Sequence, residues 1–130
     1  MDITSKKIDC SIVASVFNEE ESVMMFYESI SETLVSLQVS YEIIFVNDGS
    51  TDNSLSILKN IAATNNTVKI INFSRNFGHE AAMIAGIDHA CGEAVICMDS
   101  DLQHPSSEIS DVLSPFFKKS EKQPNIVIIK

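Results

Sequence analysis

A chain of 130 residues is expected to form one domain, long enough for a real core and too short for two. Its hydrophobic content of 45% and charged content of 21% exclude disorder and collagen-like repetition. The net charge of -9 argues against nucleic acid as a partner and against a bare electrostatic grip on anions; a phosphorylated ligand would need a metal ion or backbone amides.

Ile8 to Val16 is β-branched enough for a first strand. Phe17-Asn18-Glu19-Glu20-Glu21 then switches to acid and opens a helix, with Asn18 expected as N-cap and the glutamates at its positive end. Val23, Phe26, Tyr27, Ile30, Leu34 and Leu37 follow at helical spacing, with Met24 and Met25 read as core filler. Tyr41 to Val46 reads as a second strand and Asn47 to Asp52 as a tight turn. The next helix turns Leu55, Leu58, Ile61 and Ala62 inward and frays at Asn65-Asn66. Val68 to Phe73 is a third strand. A turn over Ser74 to Gly78 leads into a helix of small residues, Glu80 to Ala90, closed by Gly92. Its Ala81, Ala82, Ala85 and Gly86 would let it lie close on a sheet.

Ala94 to Met98 is a fourth, buried strand, followed by Asp99-Ser100-Asp101-Leu102-Gln103. A helix from about Pro105 is expected to bury Ile109, Val112, Leu113, Phe116 and Phe117, and Ile126 to Ile129 reads as a fifth strand. The alternation predicts an α/β fold, a mostly parallel sheet with helices on both faces. It stops where another crossover is expected, so the chain reads as the N-terminal part of a longer protein. Cys10, Cys91 and Cys97 form no C-x-x-C pair and are expected as buried free thiols in a reducing compartment. With no signal-peptide pattern and no apolar run near the roughly 18 residues of a membrane span, a soluble, cytoplasmic chain is expected.

Strand ends gather chemistry on one edge of such a sheet, where open α/β folds bind ligands. The edge receives Phe17-Asn18-Glu19, Asn47-Asp48-Gly49-Ser50, Ser74-Arg75-Asn76 and Asp99-Ser100-Asp101. Two carboxylates one residue apart, Asp99 and Asp101, with the amide of Gln103, suit Mg²⁺ or Mn²⁺, which share their shell with substrate phosphates. Asp48 reads either as an acceptor for a base or ribose or as an Asx-turn residue before Gly49. Glu19 could reach a ribose or complement a helix dipole. Arg75 suits a diphosphate or a structural ion pair. His79 and His104 lack metal-ligand spacing and read as surface residues.

Four ordered strings resemble family 2 glycosyltransferases of the GT-A fold, nearest the dolichyl-phosphate mannose synthase and bactoprenol glucosyltransferase type. They are Val13-Ala-Ser-Val-Phe-Asn-Glu-Glu20, Phe45-Val-Asn-Asp-Gly-Ser-Thr-Asp52, Ser74-Arg-Asn-Phe-Gly-His-Glu-Ala-Ala82 and Met98-Asp-Ser-Asp-Leu-Gln-His-Pro105. The resemblance implies a Rossmann-like nucleotide-binding half. It implies transfer of a hexose, with inversion, from a UDP or GDP sugar to a polyprenyl phosphate or saccharide acceptor at the cytosolic membrane face. Phe17, Asn18, Glu19 and Asp48 would hold the nucleoside, joined on the same edge by Ser50, Arg75 and Ser100; Asp99, Asp101 and Gln103 would hold the ion and diphosphate.

Ser15 and Phe17 stand where the family usually has Pro and Tyr, and Asn47 where an acid is common. The acceptor-binding half and membrane helices of the family lie beyond the matching strings, so membrane association would reside there. No residue is assigned to activate the acceptor. Mg²⁺-dependent phosphoryl or nucleotidyl transfer, and a non-catalytic nucleotide-binding or assembly module, are the alternative readings.

Overall fold

The computed structural model describes residues 7–100 and 126–128. Among them, strands β1 (Ile8–Val16), β2 (Tyr41–Asn47), β3 (Val68–Asn72), β4 (Gly92–Asp99) and β5 (Ile126–Ile128) form one sheet. Its order is β3-β2-β1-β4-β5 and every neighbouring pair is parallel. The expected helix near Pro105 lies outside the described residues, as do Asp101, Gln103 and His104.

Among the described residues three helices connect the strands: α1 (Val23–Ser36), α2 (Ser54–Thr64) and α3 (His79–His89). The central strands are apolar on both faces because both faces are covered. One face packs Ile12, Ala14, Ile43, Phe45 and Ile96 against the stripe Phe26, Ile30 and Leu34 of α1 and against Leu58 and Ile61 of α2. Phe26 meets Phe45 edge-to-face, ring centroids 6.1 Å apart. The other face packs Val13, Ile44, Val46, Val95 and Cys97 under α3 through Ala82. Small residues decide how close α3 comes: a Cβ on Gly86 would stand 2.2 Å from Val13 Cγ1. Each large apolar side chain removed from water in these two layers is worth about 1.5–3 kcal/mol.

Five local expectations are corrected. Helix α1 starts at Val23, later than the acidic run, with no acid in its first turn. Asn18 is not its N-cap; it adopts a left-handed backbone (φ 53°) and caps the loop after β2 instead. Met24 and Met25 are exposed, since they fall off the buried stripe. Gly92 does not close α3 but is the first residue of β4, where a Cβ would strike the Ser11 backbone. Of the three thiols, Cys10 and Cys97 are buried and Cys91 is exposed. Burial, with Asp9 and Glu42 adding, pushes Cys10 up to about 12, and burial also raises Cys97.

The sheet edge formed by the strand starts is tied by a buried acid. Glu42, 1% exposed, accepts hydrogen bonds from Ser11 Oγ (2.6 Å), the Cys91 amide (2.6 Å) and Lys69 Nζ (2.6 Å). Ser11 Oγ in turn accepts from the Gly92 amide at 2.8 Å. This network lies at the edge opposite the one where the strands end.

Candidate functional site

The loops after β1, β2 and β3 lock together through their own hydrogen bonds. Asn18 Oδ1 accepts from the Thr51 amide (2.8 Å) and the Asp52 amide (3.3 Å), and the Asn18 amide donates to Ser50 Oγ (2.9 Å). The Glu19 amide donates to Ser54 Oγ, and Glu20 Oε1 accepts from the Asn53 amide. Asp52 caps α2 through the Ser54 amide and also accepts from the Glu20 amide. Slight burial pushes its carboxyl up, but these donors outweigh that and hold it below the usual range.

Asp48 does the same for the loop after β3. It is 4% exposed, and its carboxylate accepts from the Phe77 amide (2.7 Å), the Gly78 amide (3.2 Å) and Asn76 Nδ2 (3.2 Å). Gly49 completes the clamp: at φ +75° it passes so close that a Cβ would lie 2.3 Å from the Asn76 nitrogen. Two backbones in contact cannot yield to a side chain, which is why glycine stands there.

The clamped loops frame a cleft of about 590 Å³ lined by Phe17, Asn47, Ser50, Leu55 and Arg75, among others. That is within the usual size of a small-ligand site. Phe17 is 47% exposed, and the Arg75 guanidinium lies 4.1 Å from the centre of the Phe77 ring. Among the described residues Arg75 forms no ion pair. Asn47 Nδ2 donates to Asn72 Oδ1 (2.9 Å), while Asn47 Oδ1 is a buried acceptor with no partner among the described residues.

Asp99 stands across β1 from that cleft. It ends β4 in register with Ser15 of β1. The chain turns from one half of the sheet to the other between these two strands, the place where open parallel sheets bind ligands. The Asp99 side chain is 44% exposed, and its Oδ1 lies 3.6 Å from His79 Nδ1. Ser100 is 1% exposed; its hydroxyl donates to the Ser15 carbonyl (2.9 Å), and its own carbonyl accepts from Ser22 Oγ (3.3 Å).

Phe17, Ser50 and Arg75 therefore share the cleft, whereas Asn18, Glu19 and Asp48 spend their polar atoms on the loops that shape it. Glu19 Oε1 accepts from Ser22 Oγ (3.0 Å), so it serves the turn before α1. Asn47, read only as a strand-end residue of the edge, and His79, read as a surface residue, are the additions to the expected site. The signal for Asn47 was its place at a strand end; His79 had none, since its partner Ser15 is 64 positions away.

Among the described residues no cluster of three or more His, Cys, Asp or Glu could hold a metal by itself. Asp99 supplies hard, accessible carboxylate oxygens suited to Mg²⁺ or Mn²⁺. The remaining expected ligands, Asp101 and Gln103, lie outside the described residues. No described helix is long and apolar enough to cross a membrane.

The family model described as Glycosyl transferase family 2 matches residues 11–127. CsbB of Bacillus subtilis (strain 168), provisionally named a glycosyltransferase, is 45% identical over 106 residues, 82% of this chain and 32% of that protein. The bactoprenol glucosyl transferase of Shigella phage SfV is 44% identical over 103 residues, 79% of this chain and 34% of that protein. The chain thus spans about a third of the length of the curated relatives it matches. Among solved structures, the mannosyltransferase PcManGT from Pyrobaculum calidifontis, in complex with GDP-Man and Mn²⁺, aligns with a TM-score of 0.72 at 18% identity. That alignment covers 89% of this chain and 34% of PcManGT. S. aureus TarS 1-349 aligns with a TM-score of 0.69 at 21% identity, over 82% of this chain and 32% of TarS 1-349. These likenesses show the GT-A fold.

Proposed function

The chain belongs to glycosyl transferase family 2, and from that premise we propose that it is the donor-binding part of a metal-dependent, inverting hexosyltransferase. The donor is a UDP or GDP sugar and the acceptor a polyprenyl phosphate. The observation that carries this reading is the pairing of a cleft at Phe17, Asn47 and Arg75 with an accessible carboxylate, Asp99, at the switch point of one parallel sheet.

Each residue has a physical task. Phe17 offers the base an exposed ring to lie on, and Asn47, whose Oδ1 has no donor among the described residues, lines the same cleft. Arg75, held over Phe77, keeps a fork of donors at the cleft wall for ribose or phosphate oxygens. Asp48 and Gly49 hold the loops at that spacing and need not touch the ligand. Asp99, with Asp101 and Gln103, would hold the divalent ion. When bound, the ion supplies Lewis-acid stabilisation of the charge that grows on the departing diphosphate. In the transfer an acceptor phosphate oxygen bonds to the anomeric carbon as the bond from that carbon to the nucleoside diphosphate breaks.

Relatives support the finer points. A bactoprenol glucosyl transferase is among them, and PcManGT, of the same fold, was solved with GDP-Man and Mn²⁺. The family match favours glycosyl transfer over phosphoryl or nucleotidyl transfer. Calorimetric titration with UDP and GDP, each with and without Mn²⁺, tests the proposal. One nucleotide should bind with an affinity that rises about tenfold or more when Mn²⁺ is present, roughly 1.4 kcal/mol. Binding of neither, or binding indifferent to Mn²⁺, contradicts it.

A further inference from the structure

We propose that His79 is a positioning residue for Asp99: its Nδ1, shared with Ser15, fixes the orientation in which the carboxylate meets the divalent ion. The inference rests on the reading of Asp99 as an ion ligand given above. His79 itself touches neither ion nor sugar in this account.

The geometry follows from strand periodicity. Val13 and Cys97 face α3, so Ser15 and Asp99, two residues further along the paired strands, face the same side. They therefore sit beneath the first turn of α3, whose first residue is His79. Its Nδ1 lies 3.1 Å from Ser15 Oγ and 3.6 Å from Asp99 Oδ1. With hydrogen on Nδ1 the ring would donate to Ser15 Oγ and turn the same positive edge to the carboxylate, an electrostatic contact at 3.6 Å and not a hydrogen bond. Asp99 Oδ2 has no partner among the described residues and is left for the cation.

Three contacts keep this arrangement from drifting. Gly86 seats α3 against Val13, Ser100 Oγ holds the Ser15 carbonyl, and Asp48 binds the Gly78 amide immediately before His79. The same geometry excludes a nucleophilic relay. Such a relay needs the hydroxyl and the carboxylate on opposite ring nitrogens, whereas here both face Nδ1. What remains is an outer partner that orients a metal-binding carboxylate, and loss of such a partner costs roughly 10–100-fold in metal affinity.

Free Mn²⁺ counted by its electron paramagnetic resonance amplitude, with saturating UDP or GDP, tests this on the full chain. His79→Ala should weaken Mn²⁺ binding about tenfold or more. His79→Asn, whose side-chain amide nitrogen falls near Nδ1, should recover to within about threefold of the unaltered chain. Nucleotide affinity measured without metal should move far less in either variant, which a general disturbance of the edge would not spare. His79 is 58% exposed, so both variants should fold, and circular dichroism checks that they do. Unchanged Mn²⁺ affinity in His79→Ala, or His79→Asn as weak as His79→Ala, overturns the inference alone. If the unaltered chain takes up no Mn²⁺ with either nucleotide, the proposed function and this inference fall together.

Discussion

Glu42 is a charged group buried on purpose, and its surroundings set how stability responds to acid. Burial pushes its carboxyl up, but donors from Lys69, Ser11 and the Cys91 amide outweigh that and hold it below the ordinary range. A carboxyl lowered on folding contributes stability above its unfolded value of about 4.3, and that contribution is lost as pH falls through the folded value. Glu42→Gln should therefore unfold at lower urea than the unaltered chain at pH 7, by about 1–3 kcal/mol. The gap should narrow as pH falls below about 5. A gap independent of pH contradicts the assignment. Nothing near Glu42 in the sequence announces this role, because its partners lie 31, 27 and 49 positions away. Asp48 was read as a ligand acceptor or an Asx-turn residue; its amide partners at Phe77 and Gly78 come from another loop, so its clamping role was not legible.

At the scale of elements, α3 shows what composition can foretell. Its run of small residues announced close packing, and Ala82 and Gly86 are indeed its buried residues. Gly86→Ala sets two effects against each other. Alanine favours the helix by about 1 kcal/mol. The added methyl, however, meets all three outer carbons of Val13 within 3.3 Å, on a short, stiff and fully buried side chain. Overpacking of that kind costs about 1–3 kcal/mol. The clash should win, and urea or thermal unfolding should show a less stable chain; equal or greater stability would mean that α3 sits higher than described. The start of α1 was read less well. Three glutamates after Asn18 look like a helix beginning, but Asn18 is drawn to the Thr51 and Asp52 amides and delays the helix to Val23. A cap chosen by a distant loop cannot be read from neighbouring residues.

For the whole molecule, alternating strands and helices were enough to foresee a parallel sheet with both faces covered. The strand order was not foreseen, and with it the placing of Asp99 and Ser15 together at the switch point. One edge of the sheet is closed by Glu42 and its donors; the other carries the cleft and Asp99. An acidic hollow on this second edge, lined by Glu19, Glu20, Glu21 and Asp52, competes on charge alone for a cation. Where Mn²⁺ settles therefore decides the account. Amide signals of the labelled chain, followed by nuclear magnetic resonance as Mn²⁺ is added with saturating nucleotide, report the distance of each residue from the ion. Signals of Ser15, His79, Asp99 and Ser100 should vanish first, while those of Cys91 and Gly92 persist. Broadening centred on Glu20, Glu21 and Asp52, or spread evenly over the chain, would contradict the assignment of the ion to Asp99.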